Sequence, residues 1–198
     1  MNVHQMSVTY VGEQDRILLR INTTQGEEMR LWLTRRLMLG LWPALNNAIA
    51  GSASPAQPAS AAVDAPARRM LAEFQRQAFL QKSDFATPYA APEAALPLGP
   101  EPLLVSEVQL TPLARSVGGG TPQPQIRIHF QEKLSRGTPQ RGFQLELAPQ
   151  LSHGLLHLLE RALQESQWGI AGIAAKPAAP LGGDEESAPA EERPRYLN

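Results

Sequence analysis

Residues 29–48 read MRLWLTRRLMLGLWPALNNA, and residues 143–162 read FQLELAPQLSHGLLHLLERA. Each stretch opens on alternation. Met29, Leu31 and Leu33 share one side of an extended chain, and so do Phe143, Leu145 and Leu147. A period of two marks a strand with one buried face. Each stretch then changes period. Leu37, Leu41, Leu45, Ala48 and Ile49 recur at helical spacing, as do Leu151, Leu155, Leu159 and Ala162. The Thr34 hydroxyl is placed to accept from backbone N–H groups two or three residues on. Pro149 stands where a first helical residue needs no N–H.

A shift of 114 positions lays the second stretch on the first without a gap, and seven of 20 positions agree. The matches are Leu31 with Leu145, Leu33 with Leu147, Leu37 with Leu151, Gly40 with Gly154, Leu41 with Leu155, Leu45 with Leu159, and Ala48 with Ala162. Leucines coincide readily in any two strand–helix units. The glycine pair is more informative, because a mid-helix glycine costs roughly 0.5–1 kcal/mol relative to alanine. It predicts a shared need for close packing at Gly40 and Gly154.

Upstream of both stretches lie two further strands. Met6, Val8 and Tyr10 alternate, then Ile17, Leu19 and Ile21, with turn clusters at Gly12–Asp15 and Thr24–Glu27. In the second half, Val108 and Leu110 supply a first strand, and Ile126, Ile128 and Phe130 a second. The loops there are longer, Ser116–Pro122 and Leu134–Arg141. The expected fold class is α+β. Two pseudo-symmetric βββα repeats form antiparallel sheet, as one sheet or two facing halves, with both helices on one face. The first helix is predicted over 35–49, kinked by Pro43, which lacks an N–H. The units span 1–50 and 103–168.

Residues 51–102 between them form an Ala/Pro-rich linker. It contains an amphipathic helix over about 64–82, with Met70, Leu71, Phe74, Ala78 and Phe79 on one side. Residues 83–102, with five prolines, are expected to run extended over a surface. Residues 51–68 and 169–194 carry almost no large apolar side chain and cannot offset their ordering entropy. The tail, 169–198, is therefore expected to be disordered. Its end, Arg193-Pro194-Arg195-Tyr196-Leu197-Asn198, regains an aromatic and two arginines.

A net charge of −1 gives no general attraction to nucleic acid or anionic membranes. The absence of cysteine excludes disulfides, thiolate metal sites and cysteine nucleophiles. No basic flank or apolar signal core begins the chain, and the longest apolar stretch, Leu37–Leu45, is too short to span a bilayer. A cytoplasmic protein without membrane contact is the expectation. Fifteen arginines against three lysines, with many alanines and prolines, suggest a GC-rich bacterial genome.

Chemistry-bearing motifs are sparse. His153 and His157 stand four apart on a helix, but no third ligand or neighbouring Glu completes a metal site, and both read as exposed polar positions. Gly118-Gly119-Gly120 lies between strands without a Lys, so it reads as a hairpin loop and not a phosphate cradle. Glu107, Glu132, Glu146 and Glu160 are expected on exposed faces. No catalytic, cofactor or metal residue is therefore assigned.

The outward sheet face is richer, with Arg16, Leu18, Arg20, Arg30, Trp32, Arg127 and His129. Arginines interleaved with an aromatic suit single-stranded nucleic acid, where guanidinium groups meet phosphates and rings stack on bases. In having strands followed by a helix, the plan is similar to the Whirly-type single-stranded DNA binders, whose units carry four strands where this chain has three. Alternatively the middle helix covers this face, seating Phe74 and Phe79 on Trp32 and Leu18. The best-supported function is a non-enzymatic binding or adaptor protein with a protein partner, docking through the helix of Leu71, Phe74 and Phe79. The alternatives are nucleic-acid binding through the Arg/Trp face, and a ligand-binding or enzymatic pocket between the repeats.

Overall fold

The computed structural model describes residues 2–52, 65–90, 94–115, 123–133 and 141–173. β1 (Val3–Val11), β2 (Arg16–Thr23) and β3 (Glu28–Thr34) form an antiparallel meander, and α1 (Arg35–Ser52) follows without a loop. After α2 (Ala65–Gln81) and an extended stretch, the two-residue β4 (Leu103–Leu104) adds to β3 in parallel. A second meander then forms from β5 (Glu107–Arg115), β6 (Gln123–Glu132) and β7 (Arg141–Leu147), and α3 (Pro149–Ser166) follows it. The protein is thus α+β with two sheets. The first is mixed and not purely antiparallel, because β4 enters beside β3. The expected loops at 116–122, which hold Gly118–Gly120, and at 134–140 lie outside the described residues, as does the tail from 174.

Local chemistry explains the boundaries. The Thr34 hydroxyl accepts the Leu37 N–H at 3.3 Å, capping α1 as its sequence requires. α1 runs through the exposed Pro43 and ends three residues later than the expected 49. Pro149 opens α3, and Gln167 closes it in the left-handed region.

Strand register places the alternating residues opposite one another. Ile17 faces Leu33, Leu19 faces Leu31, and Ile21 faces Met29. Ile126 faces Leu147, Ile128 faces Leu145, and Phe130 faces Phe143. Except for the half-buried Phe143, all of these are buried, and apart from Met29 the buried ones of both sheets belong to one contiguous core with Leu45, Leu155 and Leu159 from the helices. The helices cross over. α1 packs on β5 and β6 as well as on its own β3, whereas α3 packs on β1 as well as on β6 and β7. The packed region continues past α3 into the first residues of the range 169–198 expected to be disordered: Trp168 and Ile170 are buried and Ile173 lies against the core.

Two polar anchors hold the ends together. At the β1–β2 turn, Asp15 sits at φ +48°, a conformation Asp tolerates better than most residues. Its Oδ1 accepts from Trp168 Nε1 at 2.6 Å and from the Tyr10 hydroxyl at 2.9 Å. The two rings meet edge-on. These bonds, Trp168's first, hold the Asp15 carboxyl below its usual range. The second anchor is Glu132, expected at the surface but only 3% exposed. It shares the parity of Ile128 and Phe130 and so points inward. It accepts from Arg141 Nε at 2.6 Å and from the Leu104 N–H at 2.9 Å, and Arg141 also donates to the Leu98 carbonyl.

The packing role expected of Gly40 and Gly154 is not found. A Cβ at either position would meet nothing within 4 Å. Both glycines border clefts instead.

Because both sheets feed one core, Leu31→Ala in the first sheet and Leu145→Ala in the second are each expected to cost about 2–5 kcal/mol. Each should shift a single unfolding transition, seen together by far-UV circular dichroism and tryptophan fluorescence. Two separate transitions in either variant would show that the sheets fold independently.

Candidate functional site

The outward face of the first sheet is not bare, and α2 does not cover it. The extended chain after α2 does so in part. The Tyr89 ring lies 4.5 Å under the Arg20 guanidinium, and the Tyr89 hydroxyl donates to Glu28 at 3.1 Å. Burial, then the neighbouring Glu28, pushes the Tyr89 hydroxyl well above its ordinary pKa. Ala95 pairs with Glu27 as a further bridge, and Asn22 donates to the Ala90 carbonyl. Glu28 is 2% exposed and also accepts two bonds from Arg30, at 2.8 and 3.1 Å.

The predicted face is therefore drawn partly into internal contacts. Arg30 is tied to Glu28, and Arg20 to Tyr89 and the Ser7 hydroxyl. On the second sheet Arg127 pairs with Glu146 at 2.7 Å, and His129 lies beside Gln131. Leu18 and Trp32 stand directly opposite each other on β2 and β3, half-buried, with Arg16 at the strand end. Arg16, Leu18 and Trp32 thus remain together on one surface, whereas Arg127 and His129 belong to the other sheet.

α2 packs on α3. Phe79 stacks on His153, with centroids 5.3 Å apart and planes 15° apart. Arg76 pairs with Glu160 at 2.6 Å. Just beyond the helix, Phe85 meets His157 at 4.9 Å. The two histidines expected at the surface are thus the seat of the middle segment. His153 is 8% exposed and His157 half-buried. The cause is tertiary, because they lie on the face of α3 turned from the sheets, which a second helix then covers. Phe79 has its partner here and not on Trp32. Phe74 and Met70 are 69% and 75% exposed. Leu71 lies on α2, and its side chain is outside the described residues.

Two clefts run between a helix and the first strand of the other half. One, of about 490 Å³, lies between α1 (Arg36, Leu37, Gly40, Leu41) and β5 with its approach (Val105, Val108). The other, of about 620 Å³, lies between α3 (Leu151, Gly154, Leu158) and β1, and residues 83–89 wall it. Among the described residues, no three His, Asp or Glu side chains are placed to hold a metal ion.

The chain matches no protein-family model, no curated protein and no solved structure. Among the described residues, no helix is long and apolar enough to cross a membrane. Sequence reasoning missed Glu28, Tyr89 and Glu132 as anchors. Parity alone would have found Glu132. Tyr89 sits in a Pro-rich stretch whose path depends on where the sheet edge lies.

Burial, reinforced by Arg76, holds His153 below its ordinary pKa, with Glu73 opposing. Burial lowers His157 as well, partly offset by Glu160. The folded protein thus favours neutral imidazoles. The stability they contribute is complete above the unfolded value of about 6.5 and is lost as pH falls below it. Hydrogen exchange in α2, corrected for intrinsic rates, should quicken several-fold between about pH 7.5 and about pH 5. His153→Leu should remove most of that dependence. An unchanged pH profile in the variant would show that other groups loosen α2.

Proposed function

We propose that this protein is a non-enzymatic binding or adaptor protein that engages a protein partner through the outer face of α2. The carrying observation is the exposed pair Met70 and Phe74, one turn apart on a helix whose opposite side is pinned by Phe79–His153 and Arg76–Glu160. Residues at i and i+4 on one helix face are the anchors with which a helix enters an apolar groove. Pinning the helix beforehand lowers the ordering cost of binding. The apolar pair suits a partner whose own groove is apolar, and a cytoplasmic setting fits the cysteine-free chain.

We also read the scaffold as one βββα unit present twice. In support, Arg35–Ser52 moved by 114 positions coincides with Pro149–Ser166 at both ends. Each helix also lies across the first strand of the other unit, and the two clefts fall at matching places, bordered by Gly40 and Gly154. Single-stranded nucleic-acid binding through the Arg/Trp face draws less support, because Arg30, Arg127 and Arg20 are already engaged with Glu28, Glu146 and Tyr89.

Phe74→Asp should abolish cross-linking and co-purification of the partner and leave stability within about 0.5 kcal/mol, as exposed substitutions do. Phe79→Ala, which loses the His153 stack, should lower stability and weaken capture only as far as α2 detaches. Undiminished capture by Phe74→Asp would refute this use of α2.

A further inference from the structure

We propose that the cleft between α1 and β5 receives an acidic segment of this same chain, residues 184–197. The proposal makes no use of the α2 face, so the two readings stand or fall separately.

The first argument is charge. α1 carries Arg35 and Arg36 exposed at its start and no acidic residue anywhere along its length. Arg36 lines the cleft, and among the described residues the one carboxylate on the opposite wall, Glu107, is ion-paired with Lys133. The positive end of the helix dipole adds to this field. Residues 184–192 bring five carboxylates, from Asp184, Glu185, Glu186, Glu191 and Glu192.

The second argument is reach. The described chain leaves beside α1, where a Cβ on Gly172 would lie 3.9 Å from Trp42 Nε1. Ten residues separate Ile173 from Asp184, and the eleven residue steps extend at most about 36–40 Å. α1 itself, with 18 residues, is about 27 Å long. The acidic run therefore reaches either end of the helix.

The third argument is precedent within the molecule. The α3–β1 cleft is already walled by the chain's own residues 83–89, with Phe85 against His157 and Pro88-Tyr89 beyond. Residues 193–197, Arg-Pro-Arg-Tyr-Leu, bring a similar proline and aromatic. The floor formed by Leu37, Leu41, Val108 and Leu110 suits Tyr196 and Leu197. β5 is also the outer strand of its sheet, and an outer strand offers unpaired backbone groups to an extended segment.

The absence of cysteine makes the test direct. In the full chain, Tyr196→Cys is combined either with Gly40→Cys, where a new Cβ meets nothing within 4 Å, or with Leu39→Cys, on α1 and 54% exposed but not lining the cleft. Melting temperatures confirm that both variants fold. Disulfide formation under mild oxidation should be at least ten times faster at Gly40 than at Leu39, independent of protein concentration, and slowed several-fold by Arg36→Glu. Equal rates at the two positions, or cross-links only between molecules, would overturn the proposal.

Discussion

Neither the four-stranded first sheet nor the three-stranded second can cover its own apolar face. A sheet with one hydrophobic side must bury it against another layer, and here each helix reaches past its own strands to the first strand of the other half. The single core that results contains Ile17 and Leu31 from one sheet and Ile128 and Leu145 from the other. Full burial of such side chains contributes about 1.5–3 kcal/mol each, so neither half keeps its core if the other leaves. This crossing also creates the two clefts, because a helix lying over an outer strand leaves a furrow along the line where they meet.

Polar anchors do what the core cannot, which is to fix the connecting chain. Glu28 and Glu132 are both nearly inaccessible, and each binds an arginine together with a donor from the linker or from β4 just after it, Tyr89 in one case and the Leu104 N–H in the other. A buried carboxylate is tolerated only when its lone pairs are filled. The linker is therefore held where it supplies those donors. Asp15 does the same for the residues after α3 by accepting the Trp168 indole N–H.

The functional surfaces follow from what these demands leave over. Among the described residues, the Phe79–His153 stack and the Arg76–Glu160 ion pair hold α2 to α3, and its far side carries Met70 and Phe74 into solvent. On the first sheet, Arg30 lies beside the Glu28 carboxylate and Arg20 over the Tyr89 ring. The α1–β5 cleft keeps a cationic rim because α1 contains no acid of its own.

Local sequence sets the six long strands, the three helices and the apolar sides of the strands and of α1 and α3, but not β4, and not the facing of α2, whose Phe79 turns to α3 and away from Met70 and Phe74. Alternation at Ile17–Ile21 and Leu145–Leu147, helical spacing at Leu37–Leu45, and the caps at Thr34 and Pro149 are local and depend only on backbone geometry. Tertiary structure alone decided how the elements meet. Nothing local shows that α1 would cross to β5, that His153 and His157 would seat Phe79 and Phe85, or that Tyr89 would reach Glu28 across 61 residues. Gly40 and Gly154 show the limit most plainly. Their register was legible, but the inferred close packing was not what they met, because a residue's neighbours across space are set by the whole chain and not by its own spacing.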